Sequence, residues 1–213
     1  MPSDVVGVLL AGGQSRRMGG GDKCLRTLGG ETLLSHVIAR ARPQVGPLIL
    51  NANGDPARFA EFDLTVVIDV IAGFHGPLAG VLTGMEWTIT NVPKANRIAT
   101  FATDAPFFPT DLVEKLTAGI ESGKAQLACA KSGDRTHPVF GLWPLTLASD
   151  LRAALVDEGV RKIDAWTTRY NLVEVPFPTD PFDPFFNLNR PEDLAEAERL
   201  VATRPRHAPH CFL

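Results

Sequence analysis

The sequence VVGVLLAGGQSRRMGGGDK, at residues 5–23, joins an unbroken aliphatic run to a loop of glycines and basic side chains. Val5–Leu10 lacks the apolar–polar alternation of a half-exposed strand, which predicts a strand buried on both faces of a parallel sheet. Glycines let backbone N–H groups approach the phosphates of a ligand, and Arg17 and Lys23 add positive charge there. A solvated surface loop is the alternative that composition alone leaves open. The stretch indicates an α/β protein with an anion-binding loop after its first strand.

Farther along the chain, short apolar runs alternate with segments of helical periodicity. The runs predict strands at 48–50, 64–68, 97–102, 127–130, 139–143 and 172–175, with His137-Pro138 ahead of the strand at 139. The periodic segments predict helices at 32–41, from Pro77, from Pro109 to a C-cap at Gly123, and at 145–156, 162–168 and 191–201. This alternation is typical of a three-layer, doubly wound, mostly parallel sheet. Ligands bind beyond the carboxyl ends of such strands, so we expect the site in the loops after residues 10, 50, 68 and 102.

Length and composition limit the classes of protein. The 213 residues suit a single domain at 1–203, with a nucleotide half followed by an acceptor half, and a flexible tail at 204–213. The net charge of −3 argues against a nucleic-acid partner. The first apolar run is too short to span a bilayer, and Asp4 stands where a signal peptide is basic, so we expect no membrane association. Three widely spaced cysteines favour the reducing cytoplasm.

Two well-known phosphate loops do not match the glycine-rich segment. A dinucleotide fingerprint needs Gly-x-Gly-x-x-Gly, which Gly12-Gly13-Gln14 breaks. A P-loop needs Gly-Lys followed by Ser or Thr, whereas Lys23 follows Asp22 and precedes Cys24. Both motifs are therefore excluded.

The segment resembles the signature of sugar-1-phosphate-type nucleotidyltransferases, and its Asp22-Lys23 end resembles that of the molybdenum cofactor guanylyltransferases. Asn51, Asp69 and three motifs extend the resemblance in chain order: GPLAG at 76–80, TDAP at 103–106 and NLNRPEDL at 187–194. The similarity therefore covers nearly the whole chain. It implies a nucleotide-diphospho-sugar-transferase-like fold. The implied reaction is transfer of GMP from GTP to the phosphate of molybdopterin, with or without molybdenum, releasing pyrophosphate and forming molybdopterin guanine dinucleotide.

The resemblance also implies roles for individual residues. The catalytic residues are Arg17, Lys23 and Asp104, and Asp104 is also the Mg²⁺ ligand. The GTP-binding residues are Leu10, Ala11, Gly12, Gly13, Lys23, Asn51, Asp69 and Asp104. His137, Asn187 and Asn189 match positions on the acceptor side, although a His before Pro at a strand start is as often structural.

Simple alternatives exist for the polar residues. Asp104 is five residues too early to cap a helix that begins at Pro109. It also has no basic neighbour in the sequence, which favours a divalent cation as its partner. Asn51 and Asp69 have the alternative of turn-forming residues after strands. Guanine presents N1–H and N2–H₂ as adjacent donors, which the Asp69 carboxylate suits, whereas cytosine lacks that pair. In the family that the chain resembles, Leu-Ala-Gly-Gly and Gly-Pro-Leu-Ala-Gly accompany guanylyl rather than cytidylyl transfer, and both are present here at 10–13 and 76–80. The resemblance therefore implies GTP as the nucleotide.

Two rival functions remain at the level of the sequence. A cytidylyltransferase or sugar-phosphate nucleotidyltransferase would share the fold and differ in base and acceptor. A catalytically silent carrier of the cofactor would not need Arg17, Lys23 or Asp104, and all three are present. Beyond GTP and molybdopterin, the candidate partners are molybdoenzymes or their chaperones, and a monomer is expected.

Overall fold

A computed structural model describes residues 4–12, 21–71, 73 and 76–203. The strands are β1 (Val5–Leu10), β2 (Thr27–Leu28), β3 (Glu31–Thr32), β4 (Leu48–Asn51), β5 (Thr65–Val67), β6 (Arg97–Ala102), β7 (Leu127–Ser132), β8 (Arg135–Pro144) and β9 (Leu172–Phe177). The α-helices are α1 (Leu33–Ala41), α2 (Pro77–Asn91), α3 (Leu112–Gly123), α4 (Ala148–Val156), α5 (Ile163–Thr167) and α6 (Pro191–Thr203). Short 3-10 helices occupy Lys23–Leu25, Arg42–Gln44, Pro56–Phe62 and Leu145–Leu147.

The main sheet has the strand order β5-β4-β1-β6-β8-β7-β9. Pairing is parallel between β5, β4, β1 and β6 and between β7 and β9, whereas β8 is antiparallel to both of its neighbours. The expected mostly parallel sheet with flanking helices is confirmed. β2 and β3 form a separate antiparallel pair.

Both faces of β1 are buried, which explains its unbroken aliphatic sequence. Val5 and Leu9 lie in one apolar cluster, together with residues of α1 and α3. Val6 and Val8 lie in the other, together with residues of α2, α4 and α5. Helices therefore cover the central strands on both sides, and every β1 side chain contributes to one of two cores.

The start of β8 was predicted too late. His137-Pro138 lies inside the strand, which begins at Arg135. The pairing of β7 with β8 shifts register between Cys129 and Ala130, so that Gly141 and His137 face consecutive residues of β7. Pro138 lies within this irregular stretch. The regular hydrogen bonding between the strands is already interrupted there, so a residue without an N–H group is tolerated.

The limits of α3 also differ from the prediction. The helix begins at Leu112 rather than Pro109, and the left-handed residue that ends it is Lys124, with φ of 47°, rather than Gly123. The side chain of Gln44 explains the start, because its Oε1 accepts a hydrogen bond of 3.0 Å from Val113 N and its Nε2 donates to Pro109 O. A residue distant in the chain therefore binds the backbone N–H group left open in the first turn of α3, and no local sequence signal marks this start.

None of the helices in the described ranges combines the length and apolar character that a bilayer crossing requires. The carboxyl ends of β1, β4, β5 and β6 lie along one edge of the sheet. Because β8 is antiparallel to β6, with Arg97 opposite Pro144, the amino end of β8 lies at that same edge. The ends of these five strands therefore meet at one edge of the sheet.

Candidate functional site

A cavity of about 370 Å³ lies at this edge of the sheet. Its walls come from the segments that follow the four parallel strands, the start of β8 and the approach to α6. The lining residues are Leu10, Ala11, Gly12, Lys23, Cys24, Asn51, Asn53, Asp69, Gly76, Pro77, Ala102, Thr103, Asp104, residues 135–140 and Asn187. A cavity therefore lies where the site was predicted, while Gly13 and Arg17 lie outside the described residues.

The Asp69 carboxylate is held from two sides by asparagine amides. Asn51 Nδ2 donates to Oδ1 at 2.9 Å, and Asn53 Nδ2 donates to Oδ2 at 2.7 Å. Asn53 Oδ1 in turn accepts from the Asp69 backbone N–H at 3.0 Å. These bonds join two strand ends, so the side chain of Asp69 is fixed by tertiary contacts rather than by a local turn. An oriented carboxylate that accepts hydrogen bonds is positioned to accept more from a ligand.

Asn51 is itself closely confined. The residue is only 4% exposed, and its Nδ2 also donates to Val67 O at 3.2 Å. A Cβ atom on Gly80, in the first turns of α2, would stand 2.4 Å from Asn51 Oδ1 and 2.6 Å from Leu10 Cδ2. The glycine of the GPLAG motif therefore provides the space in which the Asn51 amide lies.

At the β6 end of the cavity, Lys23 and Asp104 form an ion pair. Lys23 Nζ lies 2.6 Å from Asp104 Oδ2 and donates to Asn189 Oδ1, also at 2.6 Å. The expectation that Asp104 has no basic partner is therefore wrong. Lys23 is 81 residues away in the chain, and the fold closes that distance.

The segment that carries Asn187 and Asn189 is fixed against this pair. Leu188 N donates to the backbone oxygen of Asp104 at 2.8 Å. Asp193 Oδ2 accepts from the backbone N–H groups of Asn189 and Arg190, each at 2.8 Å, which caps the start of α6. Asn187 lines the cavity, and Asn189 contacts Lys23.

His137 is buried in the wall of the cavity. Its Nε2 lies 2.6 Å from Ser132 Oγ, and its ring stacks on Phe185 with centroids 4.7 Å apart. Burial lowers the pKa of His137, against a smaller opposing effect of the Asp183 charge, and Arg135 lowers it further. The ring is therefore neutral at pH 7, with one nitrogen engaged by Ser132.

The described part of the cavity offers few donors for a metal ion. No group of three or more His, Cys, Asp or Glu side chains suited to a metal occurs among the described residues. Among the described residues, Asp104 Oδ1 accepts no hydrogen bond, because Lys23 contacts Oδ2 alone. Mg²⁺ is commonly held by one or two carboxylates together with substrate phosphates, so one such carboxylate fits that ion.

Asn53, Arg135 and Cys24 line the cavity and were not among the predicted site residues. Asn53 stands two positions after Asn51, and the run LNAN offered a signal for it. Arg135 was missed because its place at the cavity depends on the antiparallel course of β8; it has no ion pair among the described residues. Cys24 is buried, and burial, with the Asp22 charge, raises its pKa to about 12, so it remains a thiol.

Comparisons with known proteins show what this chain is similar to. Residues 7–171 match the family described as the MobA-like NTP transferase domain. The molybdenum cofactor guanylyltransferase of Bradyrhizobium sp. strain ORS 278 is 56% identical over 204 residues, covering 96% of each chain. The protein of the same name from Nitrobacter hamburgensis is 58% identical over 196 residues, covering 92% of this chain and 94% of its own.

A solved structure shares the fold. It is the molybdopterin-guanine dinucleotide biosynthesis protein A of Archaeoglobus fulgidus, with a TM-score of 0.73 and 24% identity. The similarity covers 94% of this chain and all of that protein. At this level of identity the likeness concerns the fold alone.

Proposed function

The chain belongs to the family of MobA-like NTP transferase domains, and from this premise we propose that it is a molybdenum cofactor guanylyltransferase. It transfers GMP from GTP to the phosphate of molybdopterin and releases pyrophosphate. The observation that carries the proposal is that one cavity contains both the oriented Asp69 carboxylate and the Lys23–Asp104 pair. These two features follow β5 and β6, which are three strand spacings apart, or about 14 Å. An extended nucleoside triphosphate spans such a separation.

The guanine base is placed at Asp69. Its carboxylate accepts from N1–H and N2–H₂ of guanine, while Asn51 and Asn53 hold it in orientation. Cytosine presents one donor group, N4–H₂, beside the N3 acceptor, so one carboxylate oxygen would lack a donor, and an unmade hydrogen bond at a desolvated polar group costs about 1–3 kcal/mol. The backbone of Leu10, Ala11 and Gly12 lies between Asp69 and Asp104 and contacts the nucleotide there. A Cβ at Gly12 would meet no described atom within 4 Å, which leaves that backbone open to the ligand.

Phosphate chemistry is placed at Lys23 and Asp104, with Arg17 as a further cation. An oxygen of the acceptor phosphate attacks the α-phosphorus of GTP, forming one P–O bond as the bond to the bridging oxygen of pyrophosphate breaks. Lys23 Nζ stabilises the charge that accumulates on the departing group, which is the main demand of such transfers. Asp104 would hold Mg²⁺, which supplies positive charge to the phosphate oxygens. Binding of nucleotide would then replace the direct Lys23–Asp104 contact.

The acceptor side is assigned to His137, Asn187 and Asn189. Asn189 supports the assignment because its amide oxygen contacts Lys23, next to the phosphate position. Neutral His137 can offer a ring nitrogen to an anionic acceptor, and Arg135 on the same strand adds a charge. The proposed partners beyond the two substrates are molybdoenzymes or their chaperones. The single domain at 1–203, the flexible tail, the monomeric state and the cytoplasmic location stay predictions.

The test is a panel of GTP, CTP, ATP and UTP with Mg²⁺, measured by thermal shift and by release of pyrophosphate in the presence of molybdopterin. GTP alone should raise the melting temperature strongly and support turnover. Preference for CTP would favour a cytidylyltransferase instead. GTP binding without pyrophosphate release would indicate a nucleotide-binding carrier.

A further inference from the structure

Arg58 does not line the cavity, but its guanidinium contacts three groups: two backbone carbonyls and one carboxylate. It belongs to the 3-10 helix Pro56–Phe62, which follows β4. Its Nη1 donates to Asp55 O at 2.9 Å, and its Nη2 donates to Asn53 O. Its Nε lies 2.6 Å from Asp22 Oδ2, an ion pair without an aligned hydrogen bond. The guanidinium therefore connects the loop after β4 with the residue that precedes Lys23.

The surrounding chain is shaped to hold this guanidinium. Gly54 has φ of +88°, a conformation that favours glycine, and a Cβ there would stand 2.8 Å from Arg58 Nη1, so a side chain at this position would displace the guanidinium. Phe59 is buried, and the centroid of its ring lies 4.6 Å from the guanidinium carbon of Arg58. A lysine would keep the charge but lose the planar group that reaches two carbonyls and a carboxylate at once.

Two of these contacts, with Asn53 and Asp22, lead to different parts of the cavity. Asn53, whose carbonyl it binds, holds the Asp69 carboxylate and the Asp69 backbone through its own amide. Asp22 is the N-cap residue of the turn Lys23–Leu25, and its carbonyl accepts from Leu25 N at 3.1 Å. Lys23 then reaches Asp104. One cation thus bridges the residues that orient the carboxylate and the residues that place the lysine.

We propose that Arg58 is a positioning residue that couples base recognition to phosphate binding in this site. It fixes Asn53 against Asp69 and Asp22 beside Lys23, so that both ends of the nucleotide meet groups whose separation is set in advance. The inference deepens the proposed function and rests on it for the identity of the nucleotide. The coupling itself depends only on the contacts of Arg58.

The kinetic test compares GTP with ITP, which lacks the 2-amino group of guanine. Arg58→Ala should lower kcat/KM for GTP about tenfold or more and reduce the preference for GTP over ITP, because Asp69 is no longer held. Asp22→Asn removes only the ion pair between Arg58 and the residue before Lys23. It should lower kcat while keeping the GTP:ITP ratio. Arg152→Ala is the matched control, since Arg152 makes a paired contact with Glu86 on the exposed faces of α4 and α2.

Hydrogen–deuterium exchange of the ligand-free protein supplies a second, nucleotide-independent readout. Arg58→Ala should speed exchange in both 21–26 and 52–55, Asp22→Asn only in 21–26, and Arg152→Ala in neither. An unchanged GTP:ITP ratio in Arg58→Ala, or exchange that changes in one segment alone, would overturn the coupling. A wild-type protein that prefers another nucleotide would overturn the proposed function instead, and the exchange data would still decide the role of Arg58.

Discussion

The Nζ atom of Lys23 lies 2.6 Å from Oδ2 of Asp104, at the end of a cavity formed by the carboxyl ends of parallel strands. The side chains are 13% and 28% exposed, so each charge is partly removed from water and is balanced by the other. A third group, Asn189 Oδ1, completes the contacts of the ammonium. Each member of this pair therefore has a different expected response to substitution.

Lys23→Ala should lower turnover more than it weakens binding of GTP. Charge stabilisation that grows in the transition state acts on kcat, whereas attraction already present in the ground state appears in KM. Loss of one such group corresponds to roughly 10²-fold or more in kcat. Steady-state kinetics should be run beside Lys115→Ala, which removes a surface pair with Asp111. A raised KM with an unchanged kcat would mean that Lys23 only anchors the substrate.

Asp104→Asn should abolish most Mg²⁺-dependent transfer while the fold persists. The amide keeps the size of the side chain but loses the charge that favours a divalent ion, so a loss on the order of 10²-fold is expected. Because Lys23 then lacks its counter-ion, about 1–2 kcal/mol of stability is lost as well, or a few degrees in melting temperature. The measurement is an Mg²⁺ titration of GMP transfer beside a thermal melt. Asp111→Asn is the surface control, and near-normal turnover at the usual Mg²⁺ requirement would remove Asp104 from the site.

Asp69→Asn should reduce the preference for GTP. The new amide places a donor where Asn51 and Asn53 already donate, so one contact becomes donor against donor, and the side chain accepts less from guanine. A loss of about 1–3 kcal/mol corresponds to roughly tenfold or more in affinity. Calorimetry with GTP and ITP should show a larger loss for GTP. Equal weakening of both nucleotides would contradict contact between Asp69 and the 2-amino group.

His137 should make the protein less stable as the pH falls below about 6.5. Burial lowers its pKa in the folded state, so the unfolded chain takes up the proton first and the folded state loses stability on acidification. One proton limits the slope to about 1.4 kcal/mol per pH unit. Asp183 and Arg135 act on the same ring with opposite effects. His137→Gln should flatten the fall in melting temperature between pH 7.5 and 5.5, and an equal fall in both proteins would exclude this role.

Much of the architecture could be predicted because it depends on local chemistry. A few consecutive residues predict each of three elements: the aliphatic run predicts β1, the helical spacing predicts α1, and a proline marks the start of α2. Polar residues placed directly after buried strands predicted the edge that carries the cavity, because parallel strands bring their carboxyl ends together. Most of the candidate site residues were assigned by that rule and by resemblance to the family's motifs in chain order.

Tertiary structure alone decided which of those residues touch. Lys23 meets Asp104 across 81 positions, Arg58 meets Asp22 although three strands and α1 lie between them in the chain, and Gln44 accepts a hydrogen bond from the first turn of α3. Arg135 lines the cavity because β8 runs antiparallel to β6, which no pattern within β8 announces. Periodicity reports which face of an element is buried, whereas a contact between distant side chains depends on how the sheet orders its strands. The sequence by itself therefore determined the elements and the edge of the sheet, and the fold determined the pairing of charges within the site.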